Sequence, residues 1–298
     1  MRFSVWPINQ QPIYEILEVA KHADSTGWDG IWMADHLMGT RERTEVPLVE
    51  CLTALSAIAV NISRLRIGSL VVSNTFRHPA LLAKCFASIE TIAPSRVVLG
   101  LGTGWQENEH HALGIGLPDA PTRLEMLEEA CQVIRDLLDR GRSSFSGKHY
   151  RLNEAVTLPK PSSRVPLLLG LKGDYSLRLV ARFADAWNLW ATPEILSRRD
   201  EILCKYCEND GRDNREISRT AQALVVFDEP ESVDPRWAAS GLPLITGGNA
   251  ELQDHLGAFA EVGLDEFIVP DFSLGSGAQK LELLDRFFED VARPFQRD

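Results

Sequence analysis

Short apolar runs alternate with helix-like segments eight times along the chain, and this alternation restricts the fold more than any other feature of the sequence. Strands that alternate with helices form parallel sheets covered by helices, so the pattern predicts an α/β protein. Eight repeats within 298 residues favour a TIM (β/α)8 barrel with insertions, and an open, doubly wound sheet is the alternative. Because no change in composition marks a linker, we expect one domain over residues 1–298.

Most of the predicted strands are rich in valine, isoleucine and leucine. They cover residues 3–6, 30–34, 65–72, 97–101, 167–170, 186–190, 218–227 and 266–269. The second helix is predicted over residues 47–60, and Asn249 is predicted to cap a later one. Two insertions interrupt the repeat. The alternating residue pattern of residues 143–156 predicts a small hairpin, and residues 228–243 are predicted to be irregular.

The charge balance of the chain excludes some classes of partner. With 31 basic and 42 acidic residues the net charge is −11, which repels nucleic acids and anionic membranes. No run approaches the ~20 apolar residues that a membrane span needs. The N-terminus enters a strand without a hydrophobic signal core. We therefore expect a cytoplasmic protein that binds neither nucleic acid nor membrane.

Residues 96–105, RVVLGLGTGW, end a buried strand in alternating glycines. Gly102 and Gly104 lack a Cβ and tolerate positive φ, so the amides of this loop can approach an anionic group closely. A phosphate cradle and an ordinary strand-to-loop turn both fit the local pattern. A Rossmann fingerprint is not expected, because Glu107 stands where the third glycine belongs.

Polar residues follow three of the predicted strands at their carboxyl ends, where the active sites of such barrels lie. They are Asp35 with His36, residues 73–78 and residues 102–108. His36 fits either a catalytic histidine or one that a carboxylate anchors, whereas His78 fits a helix cap or a packing role. Three tryptophans at strand ends fit either the wall of an apolar pocket or ordinary rim packing: Trp6, Trp105 and Trp190.

No metal site is predicted from the cysteines and histidines. The five cysteines are an odd number without a disulfide framework, so reduced thiols are expected. Cys204 and Cys207 form a Cys-x-x-Cys, but no second pair stands at zinc-site spacing. His110 and His111 also lack partners at ligand spacing.

Five short segments, taken in order, carry a resemblance to a known family. They are residues 32–36 (WMADH), 75–84 (TFRHPALLAK), 96–105 (RVVLGLGTGW), 112–114 (ALG) and 159–161 (PKP). They resemble the luciferase-like monooxygenases, in particular the oxidoreductases that use the deazaflavin coenzyme F420, and the resemblance covers nearly the whole chain. The resemblance implies a barrel with insertions, often paired as a homodimer, with the flavin or deazaflavin ring at the C-terminal end of the barrel.

The resemblance also implies which residues contact the cofactor. They are Leu70, Val71, Gly102, Thr103, Gly104, Asn108, Gly170, Leu171, Lys172 and Gly173. Leu70 and Val71 align with the family's non-prolyl cis peptide behind the ring. Lys172 replaces a glycine that relatives usually carry in the second phosphate loop, and a lysine there would neutralise phosphate charge.

His36, with Asp35 beside it, matches the residue that the family uses as proton donor, base or charge stabiliser. Histidine suits this role because it exchanges protons near neutral pH. The implied function is hydride transfer between C5 of F420 and a small organic substrate. An FMN-dependent monooxygenase is the first alternative, followed by a flavin-binding barrel without turnover and a cofactor-free lyase or isomerase. The late strand ends lack the basic residues that sugar-phosphate enzymes of the family carry, which argues against that substrate class.

Overall fold

Eight of the strands in the structure are parallel and close into a barrel. The structure is a computed structural model that describes residues 1–227 and 235–296. Its strands are β1 Arg2–Trp6, β2 Gly30–Met33, β3 Arg66–Ser69, β4 Val72–Ser73, β5 Val97–Gly102, β6 Arg142–Ser146, β7 Arg151–Val156, β8 Leu167–Gly170, β9 Ala186–Trp190, β10 Ser218–Gln222, β11 Leu224–Phe227, β12 Leu244–Gly247 and β13 Glu266–Pro270.

Around the barrel the strands follow the order β3-β2-β1-β13-β10-β9-β8-β5. The barrel closes where β5 pairs with β3, with Ile67 opposite Val97. The predicted TIM barrel is therefore confirmed, and the open sheet is wrong. The predicted hairpin is also confirmed, because β6 and β7 form a separate antiparallel pair.

Helices cover the outside of the barrel. They are α1 Ile13–Thr26, α2 Cys51–Asn61, α3 Pro79–Ile92, α4 Glu107–Ala112, α5 Ala120–Arg140, α6 Leu177–Phe183, α7 Pro193–Asp210, α8 Pro235–Ala238, α9 Asn249–Glu261 and α10 Gly277–Arg286. A π-helical turn, Phe287–Ala292, continues α10. In the part of the chain that the structure describes, no helix combines the length and the apolar character needed to cross a membrane.

Side chains on each strand alternate between the lumen and the helical layer. On β1, Ser4 and Trp6 belong to the lumen, whereas Phe3 packs outward against Phe287 with ring centroids 6.2 Å apart. The outward positions of the other strands join the same large apolar cluster with the helices. Burial of this apolar surface is the main force that holds the helices on the barrel.

A buried carboxylate closes the N-terminal end of the lumen. Glu266 accepts hydrogen bonds from Ser4 Oγ at 2.6 Å and from Trp32 Nε1 at 3.0 Å, and it pairs with Arg66 at 2.8 Å. Burial opposes the charge of Glu266, but the neighbouring guanidiniums outweigh burial and lower its pKa. The opposite end of the lumen, at the carboxyl ends of the strands, is the mouth.

Several predicted boundaries are corrected by the structure. The predicted seventh strand is two strands: β10 stays in the barrel, whereas β11 leaves it and pairs with β12. The third strand divides into β3 and β4 at the Leu70–Val71 peptide, which is cis, as the resemblance implied. The helix predicted over residues 47–60 begins later, at Cys51, because Glu50 caps it by accepting from Thr53 N.

The predicted cap at Asn249 is wrong. Gly248 occupies the cap position of α9 without a side-chain bond, and the Asn249 side chain instead contacts Arg286 and Asp290. Of the predicted irregular insertion over residues 228–243, residues 228–234 lie outside the described residues. The rest of it contains α8.

Candidate active site

Three of the predicted strand ends meet at the mouth. Asp35 follows β2, Ser73 lies on β4, and Gly102 ends β5. Ser73 pairs with Gly102 across the two strands, and its backbone N–H donates to Asp35 Oδ2 at 3.0 Å. The expectation that these residues share one end of the barrel is confirmed.

Asp35 forms a buried ion pair with Arg77. The two guanidinium nitrogens donate to the two carboxylate oxygens at 2.7 and 3.0 Å, and Arg77 also pairs with Glu50. Burial opposes the charge of Arg77, but hydrogen bonds and attraction to Asp35 outweigh it and raise the pKa of Arg77. Both oxygens of Asp35 are thus engaged on the side of the loop that follows β4.

His36 is paired with a different carboxylate, that of Glu109 on α4. His36 Nδ1 lies 2.9 Å from Glu109 Oε1, and the other oxygen accepts from the backbone N–H groups of Leu37 and Met38 at 2.7 and 3.2 Å. An ionised carboxylate only accepts hydrogen bonds, so Nδ1 is the donor, and in the neutral ring Nε2 then carries the lone pair. Nε2 bonds to no described residue, and the His36 side chain is 29% exposed.

Glu109 itself is buried, yet it stays ionised. Burial raises its pKa, but the hydrogen bonds from His36 and Leu37 outweigh burial, and the net effect lowers the pKa below the usual 4.5. A carboxylate of this kind stabilises a positive charge on His36 and also fixes the ring. The pair therefore combines a held imidazole with an available nitrogen.

The lowered pKa of Glu109 leads to a testable pH dependence. A carboxyl group with a lowered folded-state pKa adds stability above its unfolded pKa of 4.5 and loses it as the pH falls further. Replacement of Glu109 by glutamine should lower the free energy of unfolding by about 1–3 kcal/mol at pH 7. Urea unfolding of both proteins from pH 7 to pH 3 should show the difference constant above about pH 5 and shrinking below 4.5. If the stability difference between the two proteins did not depend on pH, the lowered pKa of Glu109 would be contradicted.

A chain of hydrogen bonds lies under the first glycine loop, residues 102–104. Ser73 Oγ and Thr75 Oγ1 are 2.6 Å apart, and Thr75 Oγ1 is 2.6 Å from Nε2 of the buried His110. Gly104 has φ +78°, and a Cβ there would lie 2.7 Å from Thr75 Oγ1 and closer still to Ser73 Oγ. The loop conformation therefore requires glycine at 104.

The second glycine loop, residues 170–173, lies beside the first because β5 and β8 are neighbours. Val71 fills the space between them: a Cβ at Gly102 or Gly170 would lie 2.8 or 2.9 Å from Val71 Cγ2. Leu171 is buried, and its carbonyl accepts from Trp187 Nε1 at 2.7 Å. Lys172 is exposed, so its ammonium is available to an anion at this edge.

Asn108 bonds through its amide to the loop that follows β2. Its amide donates to the Gly39 carbonyl at 2.9 Å, beside the buried Gln106, which donates to Gly39 at 3.2 Å. Together they hold the loop after β2 against α4. A cavity of about 920 Å³ adjoins this contact, with Arg41, Arg123, Glu107 and Asp119 among its lining residues.

The three tryptophans take two positions. Trp6 and Trp190 lie together at the mouth with ring centroids 5.6 Å apart, whereas Trp105 is 66% exposed and packs edge-on against His36 at 5.6 Å.

His78 caps α3, as expected, by accepting from Ala80 N at 3.2 Å.

Comparison with known proteins identifies the family. The profile described as luciferase-like monooxygenase matches residues 1–267. The chain belongs to the luciferase-like monooxygenase family. The resemblance read from the five sequence segments is therefore confirmed.

Relatives in this family carry names that refer to F420. The chain is 34% identical over 175 residues to an F420-dependent glucose-6-phosphate dehydrogenase of Microbacterium testaceum, which covers 58% of this chain and 51% of the relative. It is 29% identical over 224 residues to the enzyme of the same name from Kineococcus radiotolerans, covering 72% and 64% respectively. The chain thus spans between half and two-thirds of the length of these relatives.

A solved structure supports the family fold. An F420-dependent secondary alcohol dehydrogenase in complex with an F420–acetone adduct superposes with a TM-score of 0.85. The superposition covers 100% of this chain and 99% of that one at 20% sequence identity. The two chains thus share one fold over essentially their whole length.

Glu109 was not identified as a site residue from the sequence, and Arg77 was included only as part of residues 73–78. Glu109 holds His36, and Arg77 holds Asp35. Residues 107–109 read Glu-Asn-Glu, and only the helical phase of α4 shows that Glu109 is buried whereas Glu107 is exposed. Arg77 is the one lysine or arginine in residues 73–78, and a single cation near a strand end is the signal that could have identified it.

Proposed function

We propose that the chain is an oxidoreductase that uses the deazaflavin coenzyme F420 to transfer a hydride to or from a small organic substrate at the mouth. The observation that carries the proposal is the His36–Glu109 pair, which leaves Nε2 available beside two adjacent glycine loops. The F420-dependent names of the relatives support the choice of coenzyme. When bound, F420 supplies the carbon that accepts or gives the hydride.

The residues at the mouth fit such a coenzyme. Gly102 and Gly170 have no room for a Cβ against Val71, and Gly104 has none against Ser73 and Thr75. Their loops can present backbone N–H groups to a phosphate, and the exposed Lys172 would add a positive charge. Asn108 would contribute its carbonyl oxygen, since its amide nitrogen is engaged with Gly39.

His36 would exchange the proton that accompanies the hydride. Glu109 keeps the proton on Nδ1, so Nε2 takes the hydroxyl proton of an alcohol as the carbonyl forms, and returns it in the reverse reaction. The charge that appears on the ring is then stabilised by the buried carboxylate. Asp35 would act as a positioning residue, because Arg77 and Ser73 occupy both its oxygens.

Titration of the purified protein with F420 and with FMN tests the proposal. We expect F420 to bind with the lower dissociation constant. Gly104→Val should weaken F420 binding by about 2–3 kcal/mol, through backbone strain and lost amide contacts. Gly114→Val is the matched control, because Gly114 also has positive φ (+68°) but nothing within 4 Å of its Cβ position.

The outcomes separate the functions considered. Tighter binding of FMN would favour a flavin-dependent monooxygenase, and binding of neither compound would reject the proposal. Equal effects of the two glycine variants on F420 affinity would show that residues 102–104 do not cradle the coenzyme.

A further inference from the structure

The mouth has two unlike halves. One half is formed by the two glycine loops, where Val71 packs closely against Gly102 and Gly170. The opposite half consists of three aromatic residues: Trp6 at the end of β1, Trp190 at the end of β9 and Phe272 after β13. We call these residues the aromatic wall. Trp6 lies 5.6 Å from Trp190 and 5.0 Å from Phe272 between ring centroids.

The aromatic wall keeps ring surface available at the mouth. Trp6 is buried, but Trp190 and Phe272 are each only partly so. Trp237 on α8 extends the wall, 5.7 Å from Phe272. Partly exposed rings that converge on a site already bordered by His36 and the glycine loops are suited to contact an apolar ligand.

Buried ionic contacts hold the aromatic wall from behind. Asp271, next to Phe272, accepts from Ile8 N at 2.8 Å and pairs with Lys280 at 2.7 Å. Gln11 contacts both members of the pair. These bonds tie the loop after β1 to the loop after β13, so Trp6 and Phe272 are held together without either charge being offered to a ligand.

The polar side chains beside the aromatic wall are neutral amides and a hydroxyl. Asn188 Nδ2 donates to Thr220 Oγ1 at 2.9 Å and to Gln222 Oε1 at 2.7 Å. When the Gln222 amide is turned so that its oxygen faces Trp190, that oxygen accepts from Trp190 Nε1 at 3.2 Å. Neither arrangement supplies a positive charge.

The amides and the hydroxyl described beside the aromatic wall supply no positive charge for a phosphorylated substrate. A phosphate is bound in proteins through arginine, lysine or clustered amides. The buried cations Lys280 and Arg77 already pair with Asp271 and Asp35.

We infer, resting on the proposed function, that the substrate is a neutral alcohol or its ketone with an apolar, ring-sized body, and not a sugar phosphate. The apolar body lies against the aromatic wall and the oxygen faces His36. In the oxidation the carbinol C–H hydrogen leaves with both bonding electrons as hydride to the coenzyme. The hydroxyl proton passes to His36 Nε2, and the C–O single bond becomes a carbonyl, so the alcohol loses two electrons and the coenzyme gains them.

The test compares cyclohexanol with glucose 6-phosphate on the full chain loaded with F420. Calorimetry measures binding of each compound, and the absorbance of the coenzyme follows its reduction. We expect saturable cyclohexanol binding and turnover, and neither for glucose 6-phosphate.

Phe272→Ala should raise the KM for cyclohexanol about tenfold or more, because an apolar pocket loses roughly this much per small group removed. Phe272→Leu should restore most of the affinity, and F420 affinity should be unchanged in both.

A surface aromatic provides the control. Tyr14 on α1 is 67% exposed, and Tyr14→Ala should leave both constants unchanged. Binding of F420 with turnover of glucose 6-phosphate, absence of cyclohexanol binding, or an unchanged KM in Phe272→Ala would each overturn the inference while the proposed function stands. Failure to bind F420 would overturn both.

Discussion

Replacement of His36 by alanine is expected to lower the rate of hydride transfer by about 10²–10⁴-fold and to leave the dissociation constant of F420 nearly unchanged. Positioned general acid–base groups contribute about this much to enzymatic rates. His36 fits the role because Glu109 holds Nδ1 at 2.9 Å and Nε2 is left available. The measurement is a single-turnover rate together with the coenzyme dissociation constant on the same variant.

A second histidine provides the matched control. His78 caps α3 through Ala80 N and packs edge-on against Tyr150 at 5.2 Å, so it is structural. His78→Ala should cost about 0.5–2 kcal/mol of stability, as the loss of a cap does, without slowing hydride transfer. Unimpaired transfer in His36→Ala would exclude the proton-exchange role, whatever happened to stability.

Glu109→Gln tests the proton-exchange role of His36 by changing the partner of its Nδ1 atom. A glutamine can offer its amide N–H to His36 Nδ1, which would move the ring proton to Nε2 and remove the lone pair that accepts from the alcohol. The oxidation rate should then fall even though the imidazole is still present. If Glu109 only packed the loop after β2, the variant would be less stable but equally fast per folded molecule.

The alternation of strands and helices could be predicted because it follows from local sequence patterns. Parallel strands that are buried on both faces have apolar sequences, and glycine or proline often marks their ends. The eight barrel strands and the hairpin could therefore be predicted from the sequence. The position of His36 at the mouth follows from the same count. Family resemblance added the cis peptide at Leu70–Val71, which no local pattern indicates.

The contacts that define the site depend on long-range geometry that local patterns do not encode. Glu109 reaches His36 across 73 positions of sequence, and the choice among the polar residues of α4 depends on how that short helix is rotated. No glycine or proline separates β10 from β11, so nothing local indicates that the chain leaves the barrel at Ala223 to pair β11 with β12. In both cases tertiary packing decides between locally equivalent choices.

Replacement of Arg77 by methionine should lower the free energy of unfolding by about 3–5 kcal/mol, the usual cost of removing one partner from a buried ion pair. The Asp35 side chain is fully buried and Arg77 is 13% exposed. Without the guanidinium, the carboxylate would keep the Ser73 N–H as a partner but lose both charge-assisted bonds. Urea unfolding at pH 7 measures the difference.

Two further variants decide whether this cost is the unpaired charge or the loss of packing. In Asp35→Leu with Arg77→Met both charges are gone, and most of the lost stability should return, because replacing a whole buried pair is often nearly neutral. Arg142→Met breaks an exposed pair with Glu154, in which both side chains are more than 60% exposed. It should cost less than about 1 kcal/mol. If the double variant were as unstable as Arg77→Met alone, the pair would act through its shape. In that case Asp35 and Arg77 would hold Ser73 and the first glycine loop by packing, and not by charge.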